Sequence, residues 1–432
     1  MSLLIKNINE IYTANSENQI IKNAYILIKN NKINEIGQMK QLENKNLKYS
    51  NIIDARDNIA LPGFINTHTH AGMSLLRGYA DDLPLKEWLE NKIWPFEKGL
   101  SADDIYWGSL LSIMEMIKTG TTTFVDMYFQ MDKVAEIVKK TGIRAVLTQG
   151  LIEEKDGLQG LEKAKDFSLK WNNKAQGRIK TMFAPHAPYT CSPEYLNKIK
   201  NIAIDNDSAI NIHIAETKNE FEFINDKYDY TPVQLLDSID FFDVPVLAAH
   251  CIYVNDDDIN ILKEKNVGIA YNPLSNMKLA SGIAPINLML KKGINIGFGT
   301  DGVGSNNNLD IIEEARVGSY LQKVKNLDPT VINKEDILKM LTIKGARAAN
   351  LNNLGLIKND MLADIILINI KDNTRYYPHH NNLSNLFYAG SGNDINTVII
   401  NGKIIYHNNE LISIDSEKVY YEVEKRSKIL AQ

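Results

Sequence analysis

The sequence predicts an α/β protein: a (β/α)8 TIM-type barrel with a small β-sandwich domain built from both chain ends. Three observations predict it. Between residues 59 and 356, short apolar segments alternate with amphipathic helices, as parallel βα units do. About eight such segments occur, which suits a closed barrel better than an open sheet. The two ends of the chain, 1–58 and 357–432, read instead as strands joined by tight turns.

Taken in order, "YILIKNNKINEIG" alternates like a hairpin with its bend at "KNNK". "SADDIYWGSLLSIMEMIKTG" reads as a helix with Ser101 as N-cap, Asp104 three residues later, and Gly120 at its end. The strand "TTTFVDM", the helix "DKVAEIVKKTG" and the strand "RAVLTQG" follow. Later strands are "IKTMFAP", "AINIHIAE", "PVLAAH", "NVGIAYNP" and "INIGFGTDG", each short, apolar and ended by polar residues. The tail returns to strands in "ADIILINI" and "INTVIINGKIIYHNNELI", where Asn401-Gly402 is a hairpin-turn dipeptide. No glycine-rich phosphate cradle follows any strand, and no internal repeat is visible.

Bulk properties exclude several classes of partner. The 432 residues are 44% hydrophobic and 23% charged, with a formal net charge of −5. No basic arm is present, which argues against nucleic acid or an anionic membrane as partner. No run approaches the ~20 apolar residues of a membrane span, and the start lacks the apolar core of a signal peptide. The two cysteines, Cys191 and Cys251, do not make a disulfide framework, so a cytoplasmic location is expected.

In such a barrel the chemistry lies at the C-terminal ends of the strands. Those ends carry His68 and His70, Asp126, Gln149, His186, His213 with Glu216, His250, Asn272 and Asp301, so five of the eight histidines fall there. Strand alternation turns His68 and His70 to one face. By itself such a pair is more often an ordinary surface or core pair than a metal site. With His213 and Asp301 brought to the same mouth, the set becomes three imidazoles and a carboxylate, suited to a divalent transition metal. Zinc is the default, one ion per subunit, and iron or manganese is compatible with the same ligand types. Glu216 is placed to pass protons beside that metal. His250 reads either as a fourth ring ligand or as a group orienting water, and with Asp301 available the second is favoured. His186 stands where a carbamylated lysine would bridge two metals, so a mononuclear site is expected.

"PGFINTHTH", "HAPYTCS", "NIHIAET", "LAAHC", "YNPLSNMKLASGIAPI" and "GFGTDGVGSNNNLDIIEEAR" resemble the amidohydrolase superfamily, and within it the 5′-methylthioadenosine/S-adenosylhomocysteine deaminases. The resemblance covers almost the whole chain, although the Gly-Lys pair usual near the return to the small domain is replaced by Asp360-Met361. It implies His68, His70, His213 and Asp301 as ligands, with Asp301 also taking a proton from the activated water. It implies that Glu216 protonates the purine ring, that His250 polarises the nucleophile, and that Glu97 accepts from the ribose hydroxyls. His186 and Ser305 match substrate-side positions. The stretch "LLRGYADDLPLKEWLENKIWPFE" would be a lid, in which Leu83, Leu85, Trp88 and Trp94 either line the pocket of the 5′ substituent or pack the lid. The implied reaction converts an adenine nucleoside and water to the inosine analogue and ammonia. A homo-oligomer is expected, as is common in this family. The alternatives are an amidohydrolase acting on another ring, such as guanine or a triazine, and a non-catalytic barrel, which usually loses ligands that this chain retains.

The chain departs from the resemblance in one respect. Members accepting S-adenosylhomocysteine are expected to hold its carboxylate with arginines after the third strand. Gln149 stands where the first is sought, and it is counted here among the substrate-side residues. Arg144 lies at the wrong end of that strand, and Glu153 and Glu154 sit nearby. A lost charge-assisted contact is worth ~1.5–3 kcal/mol, so a preference for 5′-methylthioadenosine, adenosine or 5′-deoxyadenosine is expected.

Overall fold

The structure is a computed structural model that describes residues 2–42, 49–83 and 85–430, apart from the side chains of Leu85 and Lys86. Among these residues eight parallel strands make one sheet in chain order: Phe64–Thr69, Thr121–Tyr128, Arg144–Leu151, Ile179–Pro185, Ile210–Ile214, Val246–His250, Gly268–Tyr271 and Ile296–Phe298. A parallel bridge between Thr69 and Asp301 joins last to first. Asp301 N donates to His68 O at 2.9 Å and Thr67 Oγ1 to Phe298 O at 2.9 Å, so the barrel is nearly closed. Strands such as "INIHI" and "VLAAH" are buried at every position, because helices cover one face and packed side chains the other.

The helices start and stop where local chemistry dictates. Ala102–Lys118 begins with a reciprocal capping box, in which Asp104 N donates to Ser101 Oγ and Ser101 N to Asp104 Oδ2. Such a cap is worth ~1 kcal/mol. The chain then turns at Gly120 (φ +88°) into the second strand.

The end sheet draws on both termini. Among the described residues nine strands join it, with Ile365–Asn369 lying antiparallel to Asn58–Pro62 at the junction of the two chain ends. Both expected turns are present, with Lys29 opposite Lys32 and Ile400 opposite Lys403. Asn401 (φ +54°) and Gly402 (φ +75°) both occupy the left-handed region that a two-residue hairpin turn requires. Arg144, at the start of the third barrel strand, ties the two parts together. Its guanidinium donates from Nε and Nη2 to both oxygens of Asp364 at 2.9 and 3.1 Å, and Asn401 N also donates to Asp364.

Two features differ from the sequence reading. The boundary expected at residue 59 falls inside the strand Asn58–Pro62, which belongs to the end sheet. The apolar run there shows no break in composition until Pro62-Gly63. The tail, read as strands, also contains the helices Asn382–Tyr388 and Ser416–Leu430. The second buries Val419 and docks on the helix Ala102–Lys118 through Arg426 and Asp104 at 2.9 Å, a partner more than 300 residues away in sequence.

Candidate active site and metal centre

Three imidazoles and one carboxylate converge at the C-terminal mouth of the barrel. His68 Nε2 lies 3.2 Å from His213 Nε2 and 3.4 Å from Asp301 Oδ1, and His70 Nε2 lies 3.1 Å from the same oxygen. Tetrahedral zinc, with bonds of ~2.0–2.1 Å, requires ligand atoms ~3.3–3.4 Å apart, so these separations fit a metal at their centre. The outward nitrogens agree. His70 Nδ1 faces Met127 O at 2.5 Å and His213 Nδ1 faces His186 O at 2.7 Å. Each ring therefore donates outward through Nδ1–H and aims the Nε2 lone pair inward.

The backbone presents these groups through unusual conformations. Ala215 (φ +52°), His250 (φ +74°) and Asp301 (φ +60°) all lie in the left-handed region just at or beyond strand ends. Such positions store strain and concentrate at functional sites. At Asp301 two hydrogen bonds hold the turn: its own N donates to His68 O, and Gly302 N donates to Asp301 Oδ1 at 2.9 Å. Gly299 allows the approach, since a Cβ there would fall 2.4 Å from Asn272 Oδ1 and 2.8 Å from the Cβ of His68.

Beside the four converging groups stand the candidates for proton transfer. Glu216 Oε2 is 3.9 Å from His250 Nε2, and burial raises the Glu216 carboxyl above its ordinary range. His250 Nδ1 faces Asn276 Oδ1 at 2.8 Å and Asn272 Nδ2 at 3.4 Å, and the shorter contact favours the tautomer with the proton on Nδ1 and Nε2 as an acceptor toward the site. The other oxygen of Asp301, Oδ2, accepts from Ser275 Oγ at 2.6 Å and from Ser305 Oγ at 3.1 Å. Glu220, buried, accepts from both Ala215 N and Glu216 N at 2.9 Å and so fixes the turn that carries Glu216.

Around the mouth, Tyr128 Oη donates to Glu97 Oε1 at 2.6 Å, and burial raises the Glu97 carboxyl. The His186 ring lies 4.9 Å from that of His213 and its Nδ1 faces Thr190 Oγ1 at 3.0 Å. Trp88 is buried, donates from Nε1 to Ala80 O at 2.9 Å, and sits so close to Gly304 that a Cβ there would meet the indole at 3.0 Å. Gln149 is half-buried in the third strand, and among the described residues no side-chain hydrogen bond joins it to the cluster. Trp94 is exposed, Leu83 is partly buried, and the Leu85 side chain lies outside the described residues.

Sequence reasoning missed Ser275, Asn276, Tyr128 and Glu220. Ser275 and Asn276 lie one helical turn beyond Asn272, which itself stood out as a strand end. Glu220 carries no sequence signal apart from its spacing from Glu216.

Comparison with known proteins agrees with this geometry. Residues 59–405 match the amidohydrolase family. The chain is 56% identical, over 98% of its own length and 99% of the relative's, to a protein of Halothermothrix orenii named 5-methylthioadenosine/S-adenosylhomocysteine deaminase. An adenosine deaminase from Xanthomonas campestris with bound zinc superposes with a TM-score of 0.96 at 28% identity, covering 99% of this chain and 98% of that one. The zinc complex of an atrazine chlorohydrolase from Arthrobacter aurescens shares the fold, at TM-score 0.88 and 21% identity over the full length of both chains.

Proposed function

Because the chain belongs to the amidohydrolase family, we propose the following reading of its site: Glu216, His250 and Asp301 move protons during hydrolytic deamination of an adenine nucleoside. The enzyme is a hydrolase of C–N bonds, and the reaction takes nucleoside and water to the inosine analogue and ammonia. The observation that carries the assignment of roles is the position of Glu216, 3.9 Å from His250 and beside the cluster of His68, His70, His213 and Asp301.

A divalent ion, which we take to be zinc, would be held by His68, His70, His213 and Asp301 and would lower the pKa of a water from ~15.7 to ~7. His250 Nε2 accepts a hydrogen bond from the attacking water and turns its lone pair toward the amino-bearing ring carbon. Asp301 receives the proton that the water gives up and passes it to the amino group, which leaves as ammonia when the C–N bond breaks. Glu216, its carboxyl raised by burial, holds a proton at neutral pH better than an exposed glutamate and delivers it to the ring nitrogen. Glu97 accepts from the ribose hydroxyls, with Tyr128 holding one of its oxygens in place. Trp88, packed on the turn that bears Ser305, helps exclude water from the mouth.

The preferred substrate is 5′-methylthioadenosine, adenosine or 5′-deoxyadenosine ahead of S-adenosylhomocysteine. Neither nearby arginine is available at the mouth: Arg144 is bound to Asp364, and Arg178 donates to the carbonyls of Val138 and Ile143. Glu153 instead accepts from Ser192 N on the loop beyond His186. Lys155, which lies 5.2 Å from the Phe129 ring, is the cation that supports the contrary ranking. No helix among the described residues is long and apolar enough to cross a membrane, and both cysteines are buried and unpaired, in keeping with the cytoplasm as the proposed compartment.

The test is ammonia release and the ultraviolet change of adenine to hypoxanthine on zinc-loaded protein. The substrates are these three nucleosides, S-adenosylhomocysteine and guanine. Turnover of the adenine nucleosides supports the reaction, and equal kcat/KM for all four would remove the proposed preference. Turnover of guanine alone would move the substrate to another ring.

A further inference from the structure

The side chains that brace the site lead back to one residue with no part in the proposed chemistry. Glu314 lies on the helix Ile311–Asn326 and is fully buried. Its Oε1 accepts from Leu274 N at 2.8 Å and its Oε2 from Asn306 Nδ2 at 2.8 Å. These partners belong to two short helices, Pro273–Lys278 and Val303–Asn306. Each carries a hydroxyl that ends on Asp301 Oδ2, Ser275 from the first and Ser305 from the second. The first helix also carries Asn276, the partner of His250.

We infer that Glu314 is a positioning residue, which clamps these two helices together and thereby sets the orientation of both Asp301 and His250. A carboxyl is the economical group for the task, because its two oxygens diverge and each serves one helix. The clamp also reaches the strand end, since Asn306 Nδ2 donates to Thr300 O at 2.7 Å, one residue before Asp301. Burial pushes the Glu314 carboxyl up to about 8, and glutamine matches its shape while offering a single accepting oxygen where the two helices supply two donors. A bland role exists: Leu274 N is a first-turn amide without an intrahelical partner, and Glu314 could serve as a cap alone. A cap alone would alter stability and leave the site chemistry untouched.

The inference rests on the proposed reaction for its kinetic arm only. The experiment compares wild type, Glu314→Ala, Glu314→Gln and Asn306→Ala as full-length, zinc-reconstituted protein. It measures steady-state deamination, bound metal, thermal midpoint and the ¹⁵N signals of selectively labelled histidine. Glu314→Ala is expected to lose ~10- to 100-fold in kcat with KM and metal content little changed, as displacement of catalytic groups does. Its His250 signal should shift from a single Nδ1–H form to a mixture of tautomers. Glu314→Gln keeps one accepting oxygen and turns an NH2 toward the other donor, so its loss in kcat should fall between wild type and Glu314→Ala. Asn306→Ala cuts the Ser305 arm and the tie to Thr300 O and leaves the Leu274 arm in place, so kcat should fall while the His250 signal stays put.

A folded Glu314→Ala with wild-type kcat and an unmoved His250 signal would overturn the inference. If Glu314→Ala does not fold, the other two variants decide. A Glu314→Gln with wild-type kcat, or an Asn306→Ala that leaves kcat intact, would overturn it as well. The histidine signals and metal content need no substrate. Inactivity of the wild type on every adenine nucleoside would therefore sink the proposed reaction and leave this test standing.

Discussion

The rings of His68 and His213 meet nitrogen to nitrogen, Nε2 to Nε2, at 3.2 Å. His213 already has its Nδ1 turned to the His186 carbonyl, so its Nε2 carries a lone pair. His68 Nε2 also lies 3.4 Å from Asp301 Oδ1. A cation at the centre turns this crowd of acceptors into a set of ligands, and without one a proton must be shared among them.

His68→Ala should therefore abolish stoichiometric metal binding, and elemental analysis of the purified variant checks this. Full occupancy would contradict the ligand set. Removing the metal from wild type with a chelator should lower the thermal midpoint, because the ion binds the folded chain in preference to the unfolded one.

Glu216→Gln should keep the metal and lose ~10²- to 10⁴-fold in kcat, the span of a positioned acid–base group. Stopped or continuous assay of ammonia release beside metal analysis reads both quantities. Near-normal turnover would remove Glu216 from the reaction.

Glu97→Ala should lower kcat/KM for adenosine by ~10- to 100-fold, the worth of charge-assisted contacts to a pair of hydroxyls. Tyr128→Phe should cause a smaller loss in the same direction, since it only frees the carboxylate that Tyr128 holds. Unchanged kcat/KM in Glu97→Ala would speak against ribose recognition at this position.

Arg144→Met should destabilise the fold by ~3–5 kcal/mol, because it leaves the Asp364 carboxylate buried without its cation. Denaturant unfolding measures the loss. The pair sits at the opposite end of the barrel from the site, so KM and metal content of the folded variant should match wild type.

The pH dependence of stability should expose Glu314. Its carboxyl is raised to about 8 in the folded protein from an ordinary value of 4.5. Between those values the native state holds a proton that the unfolded chain has released, so stability falls as pH rises, at up to ~1.4 kcal/mol per pH unit. Glu314→Gln removes that slope. The difference in thermal midpoint between variant and wild type should move in the variant's favour from pH 5 to pH 8, and a constant difference would show that Glu314 titrates normally.

The barrel, the sheet from the chain ends and the converging polar residues were legible because each has a local signature. Strand alternation put His68 and His70 on one face, and strand ends marked Glu216, His250 and Asp301. The hairpin turns at Asn30-Asn31 and Asn401-Gly402 were legible for the same reason: backbone twist at a tight turn selects a few residue types. The helix Ser416–Leu430 was not read, although its i,i+4 pairs Arg426–Glu422 and Lys428–Glu424 are local, because the strands around it set the expectation.

By itself the sequence determined which segments are strands or helices in the barrel and which side chains stand at strand ends, since both follow from periodicity over a few residues. Only the tertiary structure decided who braces them. Ser275 and Ser305 meet on one oxygen of Asp301, Tyr128 meets Glu97, and Glu314 joins two helices that are separate in sequence. Hydrogen bonds act over about 3 Å in space, and the sequence distance between their partners leaves no mark on either segment.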